Sequence, residues 1–328
     1  EVRTNHPGEE DASNLPGSYV RDAYLRGLTL SEMGVTNPYQ FGVIGSSDTH
    51  VAGTSDNEAA FFSKIGVLDG TAELRGSVPF NRFYATIARF VQPEALTEVD
   101  GSHYLAVSPR LIRFSASGLA GVWAEENTRE SIYDAFKRKE TFATSGPRMK
   151  IRLFAGYDLA DADLEGQGLL AKAYANNTAM GGDLAPKESM SPTFLAWAVA
   201  DPTGAPLQRL QMIKGWLEEG EPREQVFDIA CSDGLTVDPA THRCPDNGAI
   251  VDLSDCSTSA HDAATELKVL WQDPDFDADQ DAFYYARVLE NPVCRWSTWD
   301  AVREGEAPRS DIPKTIQERA WSSPIWLQ

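Results

Sequence analysis

Apolar residues recur at helical spacing in the first part of this chain and alternate with polar residues after residue 150. Residues 16–34 carry one apolar stripe, with a proline at the start and a glycine after the end, which predicts a helix. A break at Asn37-Pro38 follows, and the apolar run 41–46 then predicts a buried strand. This order of helix, break and strand is typical of an α/β layer or barrel.

A second unit of the same kind lies downstream. Residues 121–125 predict another buried strand, and residues 80–91 predict a short helix before it. Asn127 offers an N-cap oxygen with Glu130 three positions later, and three basic residues crowd positions 137–139. This pattern predicts a capped helix from about residue 128 onwards.

The chain after residue 150 reads as β-rich. Alternating or apolar runs separated by Gly, Pro and Asp predict strands at 149–154, 193–200, 207–216 and 282–290. The tail after residue 303 carries three prolines and is predicted to run along the surface, anchored by Trp321 and Trp326. We therefore predict two domains, residues 1–149 and residues 150–328.

Composition excludes several classes of function. The chain has 328 residues, 42% of them hydrophobic, and a net charge of −20. An acidic surface of this kind repels nucleic acids and anionic membranes, so neither is expected as a partner. No run of 18 apolar residues is present, so no segment is expected to span a bilayer.

Four cysteines lie in the last third of the chain, at positions 231, 244, 256 and 294. None forms a C-x-x-C pair, which argues against a zinc knuckle. An even number in polar loops favours two disulfides and a periplasmic or secreted protein. Four reduced thiols in a cytosolic protein are the alternative, and the sequence does not fix the connectivity.

The segment 41–50 is the main candidate for chemistry. A small-residue turn after the predicted strand 41–46 carries Asp48 and His50, two positions apart. In extended backbone both side chains would leave the same face, which offers an oxygen and a nitrogen ligand to a metal such as zinc. A turn aspartate with an incidental histidine is the alternative, since zinc needs three or more protein ligands.

Other polar groups carry weaker signals. Glu125 and Glu126 follow a predicted strand, where a carboxylate can serve an active site or simply favour a helix N-terminus. The acidic run 273–281 lacks the Gly and Glu that a calcium loop requires and is predicted to be a solvated turn. His103 stays open as a remote ligand. No G-x-S-x-G, P-loop or G-x-G-x-x-G motif occurs.

The strand and Ser-Asp-Thr-His of residues 41–50 resemble the late Asp-x-His motif of the PHP (polymerase and histidinol phosphatase) metallohydrolase superfamily. The block 118–148 is more specific and is similar to a large bacterial branch of unknown function in that superfamily, related to carbaryl hydrolases. The similarity continues through Met180–Asp183, Ile213–Trp216, Asp273–Phe276, Phe283–Arg287 and Gln317–Trp326. It covers almost the whole chain.

The resemblance implies an α/β fold, the C-terminal part of a distorted β/α (PHP-like) barrel followed by a β-rich extension. It also implies a metal-dependent hydrolase of phosphoesters, or of related ester or carbamate bonds, with two or three divalent ions (Zn, Mn or Fe). Asp48 and His50 map onto the last two ligands. Ser47, Glu125 and Arg148 are candidates for orienting ligands or substrate. A small-molecule ester is the expected substrate.

One departure from the family pattern is large. The family's early H-x-H motif occurs nowhere in this chain, and the first residues are polar, as in a mature or truncated terminus. We therefore expect an upstream fragment of the same protein to complete the barrel and its metal site. The alternative is a catalytically inactive C-terminal fragment that acts as a binding or lid module.

Overall fold

A computed structural model describes residues 19–46, 48–53, 55–105, 112, 114–160, 164, 166, 168–187, 190–259 and 264–328. The candidate residue Ser47 lies outside the described residues. The helices are α1 (Val20–Glu32), α2 (Ala72–Arg75), α3 (Arg82–Val91), α4 (Arg129–Lys137), α5 (Leu169–Asn176) and α6 (Trp296–Glu304). Short 3-10 turns lie at Glu58–Ala60, Gly66–Leu68 and Pro93–Ala95.

The strands of the first half are β1 (Leu96–Val99), β2 (Ser102–Leu105), β3 (Leu119–Val122) and β4 (Thr141–Thr144). They are followed by β5 (Lys150–Gly156), β6 (Thr178–Ala179), β7 (Asp183–Leu184), β8 (Thr193–Val199), β9 (Leu207–Glu218) and β10 (Glu221–Cys231). The last are β11 (Glu266–Gln272), β12 (Ala282–Glu290), β13 (Val293–Cys294), β14 (Thr315–Ile316), β15 (Arg319–Ser322) and β16 (Ile325–Leu327).

Two sheets face each other across the main core. The larger has the order β10-β9-β12-β15-β4-β3, with β16 also pairing with β12 and β7, and the smaller has the order β11-β8-β5-β6. Buried side chains from both inner faces interdigitate, for example Leu153 and Phe194 from one sheet with Met212 and Tyr284 from the other. Such alternation of inward and outward residues is what the strand pattern after residue 150 predicts. The mixed α/β class is confirmed.

The expected β/α barrel is not found among the described residues. Their strands form open sheets, and their neighbours pair antiparallel, apart from the parallel pair β16–β7. A β/α barrel is built from parallel strands joined by helical crossovers, so these pairings cannot close one. The larger sheet also crosses residue 149, because β3 and β4 join β12 through β15. The division into two domains stays a prediction.

The sequence predicted that the C-terminal tail runs along the surface, but its strands β15 and β16 belong to the large sheet. Strand β15 lies between β4 and β12, and Trp326 of β16 is buried against Tyr24 of α1, with ring centroids 5.5 Å apart. Pro324 lies in the connection between β15 and β16, and Pro313 lies two residues before β14. Trp321, on the same tail, is partly buried and packs against the hydrophobic cluster that contains Tyr24 and Trp326.

Helix α1 confirms the first predicted helix, shortened at both ends. Its Tyr24 and Leu28 are buried against Phe283 of β12, which explains the apolar stripe. Helix α4 is also confirmed, but its N-cap is Thr128, whose hydroxyl accepts from Ser131 N at 3.3 Å. Asn127 was the wrong cap by one position.

Both pairs of cysteines form disulfides, Cys231–Cys244 and Cys256–Cys294. The first staples the end of β10 to the following loop, and the second ties a loop to β13. Within the described ranges, no helix combines the length and apolar character needed to cross a membrane.

Candidate functional site

Residues 41–46 form an extended segment that packs on the end of the large sheet without joining it as a strand. Gly45 N donates to Leu119 O at 3.1 Å, and Val43 N donates to the Ser323 hydroxyl at 2.9 Å. Glycine at position 45 is required by this approach, because a Cβ there would collide with the backbone oxygens of Leu119 and Thr144. The prediction of a buried strand at 41–46 was wrong, because the segment forms no ladder with the sheet and Phe41, Ile44 and Ser46 are exposed.

The Asp48-His50 turn follows directly and is exposed. Asp48 has φ +51°, in the left-handed region, so the predicted geometry of two side chains on one face of an extended strand is wrong. His50 Nδ1 lies 2.9 Å from the main-chain oxygen of Asp48. A carbonyl only accepts, so Nδ1 carries the hydrogen, and Nε2 is the ring nitrogen that remains for another partner.

Lys64 lies behind this turn. His50 N donates to Lys64 O at 2.7 Å, and the Lys64 ammonium sits 4.6 Å from the centroid of the Phe114 ring. Burial lowers the pKa of Lys64, whereas the carboxylates of Asp48, Glu58 and Asp69 oppose that shift, Asp48 most strongly. The negative charge of Asp48 therefore stabilises the charged form of Lys64.

Glu58 is the next acidic group inward and is buried. Its two carboxylate oxygens accept from Ala116 N and Trp296 N, both at 2.5 Å. Burial raises the pKa of Glu58, and the two N–H donors with Arg295 and Lys64 oppose the rise. Glu58 thus binds two distant segments, those of Ala116 and Trp296, which lie 58 and 238 positions further along the chain.

Two more buried carboxyl groups continue inward from Glu58. The Ser145 hydroxyl donates to Glu318 Oε2, and burial together with the charge of Glu58 raises the pKa of Glu318 well above its usual range. Burial raises the pKa of Glu290 to about 8. The Oε1 atoms of Glu290 and Glu318 have no hydrogen-bond partner in the described residues. At neutral pH Glu290 therefore keeps its proton.

The predicted site residues are only partly brought together. Arg148 is exposed. Its main-chain N–H donates to Asp201 Oδ2 at 2.7 Å, and its guanidinium Nε lies 3.5 Å from Asp56 Oδ2. It therefore lies near the segment that carries Glu58. Glu125 lies three residues beyond the end of β3, whereas the Asp48 segment is bound at Leu119, the start of that strand.

The other polar residues that the sequence singled out lie on other elements of the fold. His103 lies half-buried on the two-stranded sheet β1–β2. The acidic run 273–281 is solvated only in part, because Asp273 is buried, 2.6 Å from Lys214 Nζ, and accepts from the Tyr284 hydroxyl. The charge pair explains why that turn begins with an aspartate.

The donors found do not complete a metal site. Among the described residues, no group of three or more His, Cys, Asp or Glu side chains is arranged to hold an ion. Asp48 and His50 supply two donors, which is fewer than zinc needs. Glu58, Lys64 and Glu318 were missed by the sequence analysis because each is an isolated polar residue in a stretch without any local motif.

Comparison with known proteins gives one match. The model of the family described as "Protein of unknown function (DUF3604)" matches residues 1–328. Searches of curated proteins and of solved structures found no match. Since the match extends over all 328 residues, the chain belongs to the DUF3604 family.

Proposed function

We propose that this chain forms part of a metal-dependent hydrolase of phosphoesters or related ester or carbamate bonds. The observation that supports it best is the exposed His50 ring, whose Nδ1 is held by the Asp48 carbonyl, two positions from the exposed Asp48 side chain. Metal-binding histidines are commonly oriented in this way by a carbonyl on the second ring nitrogen. The PHP-like resemblance of the sequence adds to this support.

Within this proposal each residue has a defined task. Asp48 and His50 bind one of two or three divalent ions (Zn, Mn or Fe), and such ions lower the pKa of a bound water to near neutral. Arg148, exposed beside Asp56, orients an anionic group of a small ester substrate. Ser47 and Glu125 remain proposed orienting residues, although Glu125 lies at the far end of β3.

An upstream polypeptide of the same protein would supply the missing ligands and complete a barrel-like layer. Support comes from exposed apolar surface on the segments that precede and follow the Asp48 turn in the chain. Large hydrophobic side chains are exposed there at Val20, Met33, Val35, Phe41, Ile44, Phe62, Val67 and Leu68. Ile44 precedes Gly45, whose N–H donates to Leu119 of β3, the edge strand of the large sheet. Exposed apolar surface of this extent marks a binding surface.

A periplasmic or secreted location belongs to the same proposal. Two disulfides persist in an oxidising compartment and are rare in the cytosol.

The first test is elemental analysis of the natively purified protein. One or more equivalents of Zn, Mn or Fe per chain are expected when the upstream polypeptide is present. Asp48→Ala and His50→Ala should each abolish hydrolysis of a nitrophenyl phosphate or acetate ester while the protein stays folded. Asp134→Ala, an exposed aspartate on α4, is the control. Full activity in both site variants would overturn the assignment.

A second candidate function is a catalytically inactive binding or lid module. The electrostatic interaction of Lys64 with Asp48 favours it, because a nearby positive charge opposes the binding of a metal ion to that carboxylate. Hydrolysis by the isolated chain, with no upstream polypeptide added, would rule this candidate out. A metal-free and inactive chain would support it.

A further inference from the structure

The exposure pattern of helix α3 is the reverse of that of an ordinary surface helix. Its small Ala85 is buried, whereas its large apolar side chains face solvent: Phe83 is 69% exposed, Tyr84 58%, Ile87 47%, Phe90 87% and Val91 78%. A surface helix normally packs such residues on the core and shows polar residues to water. Something outside the described chain must cover this face for the helix to be stable.

The five residues make one continuous face. At 100° per residue they fall within an arc of about 120°, with Ala85 outside it. Arg82 and Arg89 are the only charged residues between positions 76 and 93, and both lie on the opposite side of the helix. No charge therefore interrupts the apolar face.

The face is symmetric about Ile87. Phe83 and Tyr84 lie four and three positions before it, and Phe90 and Val91 lie three and four positions after it. Two copies of α3 packed antiparallel across a two-fold axis at Ile87 would bring Phe83 and Tyr84 of each copy against Phe90 and Val91 of the other. Self-complementarity of this kind is what a two-fold interface requires.

The size of the face and the charge of the chain favour the same occupant. The exposed parts of these residues amount to about 600 Å² per copy, so a symmetric pair that covered both faces completely would bury about 1,200 Å², the lower bound of a standard interface. A lipid surface is the other common partner of an apolar helix face. The net charge of −20 opposes the approach of this chain to anionic bilayers.

We infer that the chain forms a two-fold homodimer through antiparallel packing of α3 on α3 of a second copy, centred on Ile87. This inference is independent of the proposed hydrolase. It predicts that the dimer depends on the apolar face of one helix and not on the sheets that form the core.

Sedimentation velocity of the full chain tests the inference. The species expected at high micromolar concentration has twice the 36.0 kDa mass of the chain. Ile87→Lys should shift it to the monomer, whereas Thr86→Lys, which puts the same charge on the polar side of the same helix, should leave it dimeric. A far-ultraviolet circular dichroism melt shows that each variant is folded, as expected for exposed positions.

Cross-linking supplies a second readout. All four native cysteines are in disulfides, so Ile87→Cys adds a single free thiol. Oxidation should join two copies of Ile87→Cys covalently and leave Thr86→Cys monomeric on a non-reducing gel. A chain that is monomeric throughout, a dimer that survives Ile87→Lys, or a monomer that binds phosphatidylcholine vesicles through α3 would each overturn the inference.

Discussion

Arg75 and Asp300 lie 225 positions apart and form a buried two-pronged ion pair, Nε to Oδ2 at 3.0 Å and Nη2 to Oδ1 at 2.9 Å. Ser77 adds a hydroxyl donor to the same carboxylate at 2.6 Å. The pair joins α2 to α6, so it connects the part of the chain beside the Asp48 turn to its C-terminal part.

Asp300→Ala should lower the free energy of unfolding by about 3–5 kcal/mol, because it leaves the Arg75 guanidinium buried without its anion. Urea denaturation measures the change. The double variant Arg75→Met/Asp300→Leu should lose less than Asp300→Ala alone, since no charge is then stranded. The exposed pair Arg223–Glu218 is the control, and Glu218→Ala should change stability by about 1 kcal/mol or less. Equal losses at the two sites would contradict the prediction.

The stability of the protein should fall as the pH rises through neutrality because of Glu290. Burial raises its pKa from 4.5 to about 8, so below pH 4.5 both folded and unfolded states carry the proton. Between these values the unfolded state has lost a proton that the folded state keeps, and unfolding becomes easier with each step in pH. The slope is at most about 1.4 kcal/mol per pH unit.

Glu290→Gln tests this pH dependence. The variant should show a flatter slope than the parent in urea denaturation measured from pH 5 to pH 8, and it should be the more stable protein at pH 8. The control Glu221→Gln, at an exposed position, should keep the slope of the parent. Parallel curves for parent and Glu290→Gln would show that another group governs the effect.

Gly45→Ala should displace the Asp48 turn. The new methyl group would lie 2.6 Å from Thr144 O and still closer to Leu119 O, and backbone atoms cannot move aside as a flexible side chain can. We expect a loss of about 1–3 kcal/mol in unfolding free energy. Gly53→Ala is the matched control, because the nearest atom to its Cβ would be 3.9 Å away. A melting temperature equal to that of the Gly53 variant would contradict the close packing.

The two disulfides should differ in their contribution to stability. They close loops with sequence separations of 13 and 38 residues, so chain-entropy arguments give about 3 kcal/mol for Cys231–Cys244 and about 4 kcal/mol for Cys256–Cys294. Paired Cys→Ser variants, compared by denaturation under oxidising conditions, measure the difference. A larger loss from the shorter loop would show that local packing outweighs chain entropy.

Removing the ammonium of Lys64 should strengthen metal binding at Asp48. In Lys64→Met no cation competes for the carboxylate, so the affinity for Zn²⁺ should rise, by about tenfold if the electrostatic gain is near 1.4 kcal/mol. Isothermal titration with zinc measures the change, and Lys64→Arg, which keeps the charge, should match the parent. Unchanged zinc affinity in Lys64→Met would separate this lysine from the site.

Local patterns were sufficient to predict the elements whose apolar residues recur at regular spacing on one face. The run 282–290 matches β12 residue for residue, and the apolar stripe of 16–34 became α1, because each buries one regular face. The cysteine count likewise led to two disulfides. The connectivity, which no local pattern contains, came only from the fold.

Long-range contacts explain what the sequence could not predict. The tail around Trp326 was placed on the surface because prolines flank it, yet β15 lies between β4 and β12, and β16 pairs with β12 and β7. Lys64, Glu58 and Glu318 have no shared spacing, and only the folded chain brings their charges together. The Asp48-His50 motif was identified, but a left-handed residue changed its geometry.

The position of β15 sets an order of events during synthesis. β4 and β12 lie on either side of it, so β4, which pairs with β3 on its other side, keeps an open edge until residues 319–322 have been synthesised. Nascent chains with unpaired edges are prone to aggregate. The large sheet can therefore be completed only after nearly the whole chain has been synthesised, although β3 and β4 are made in its first half.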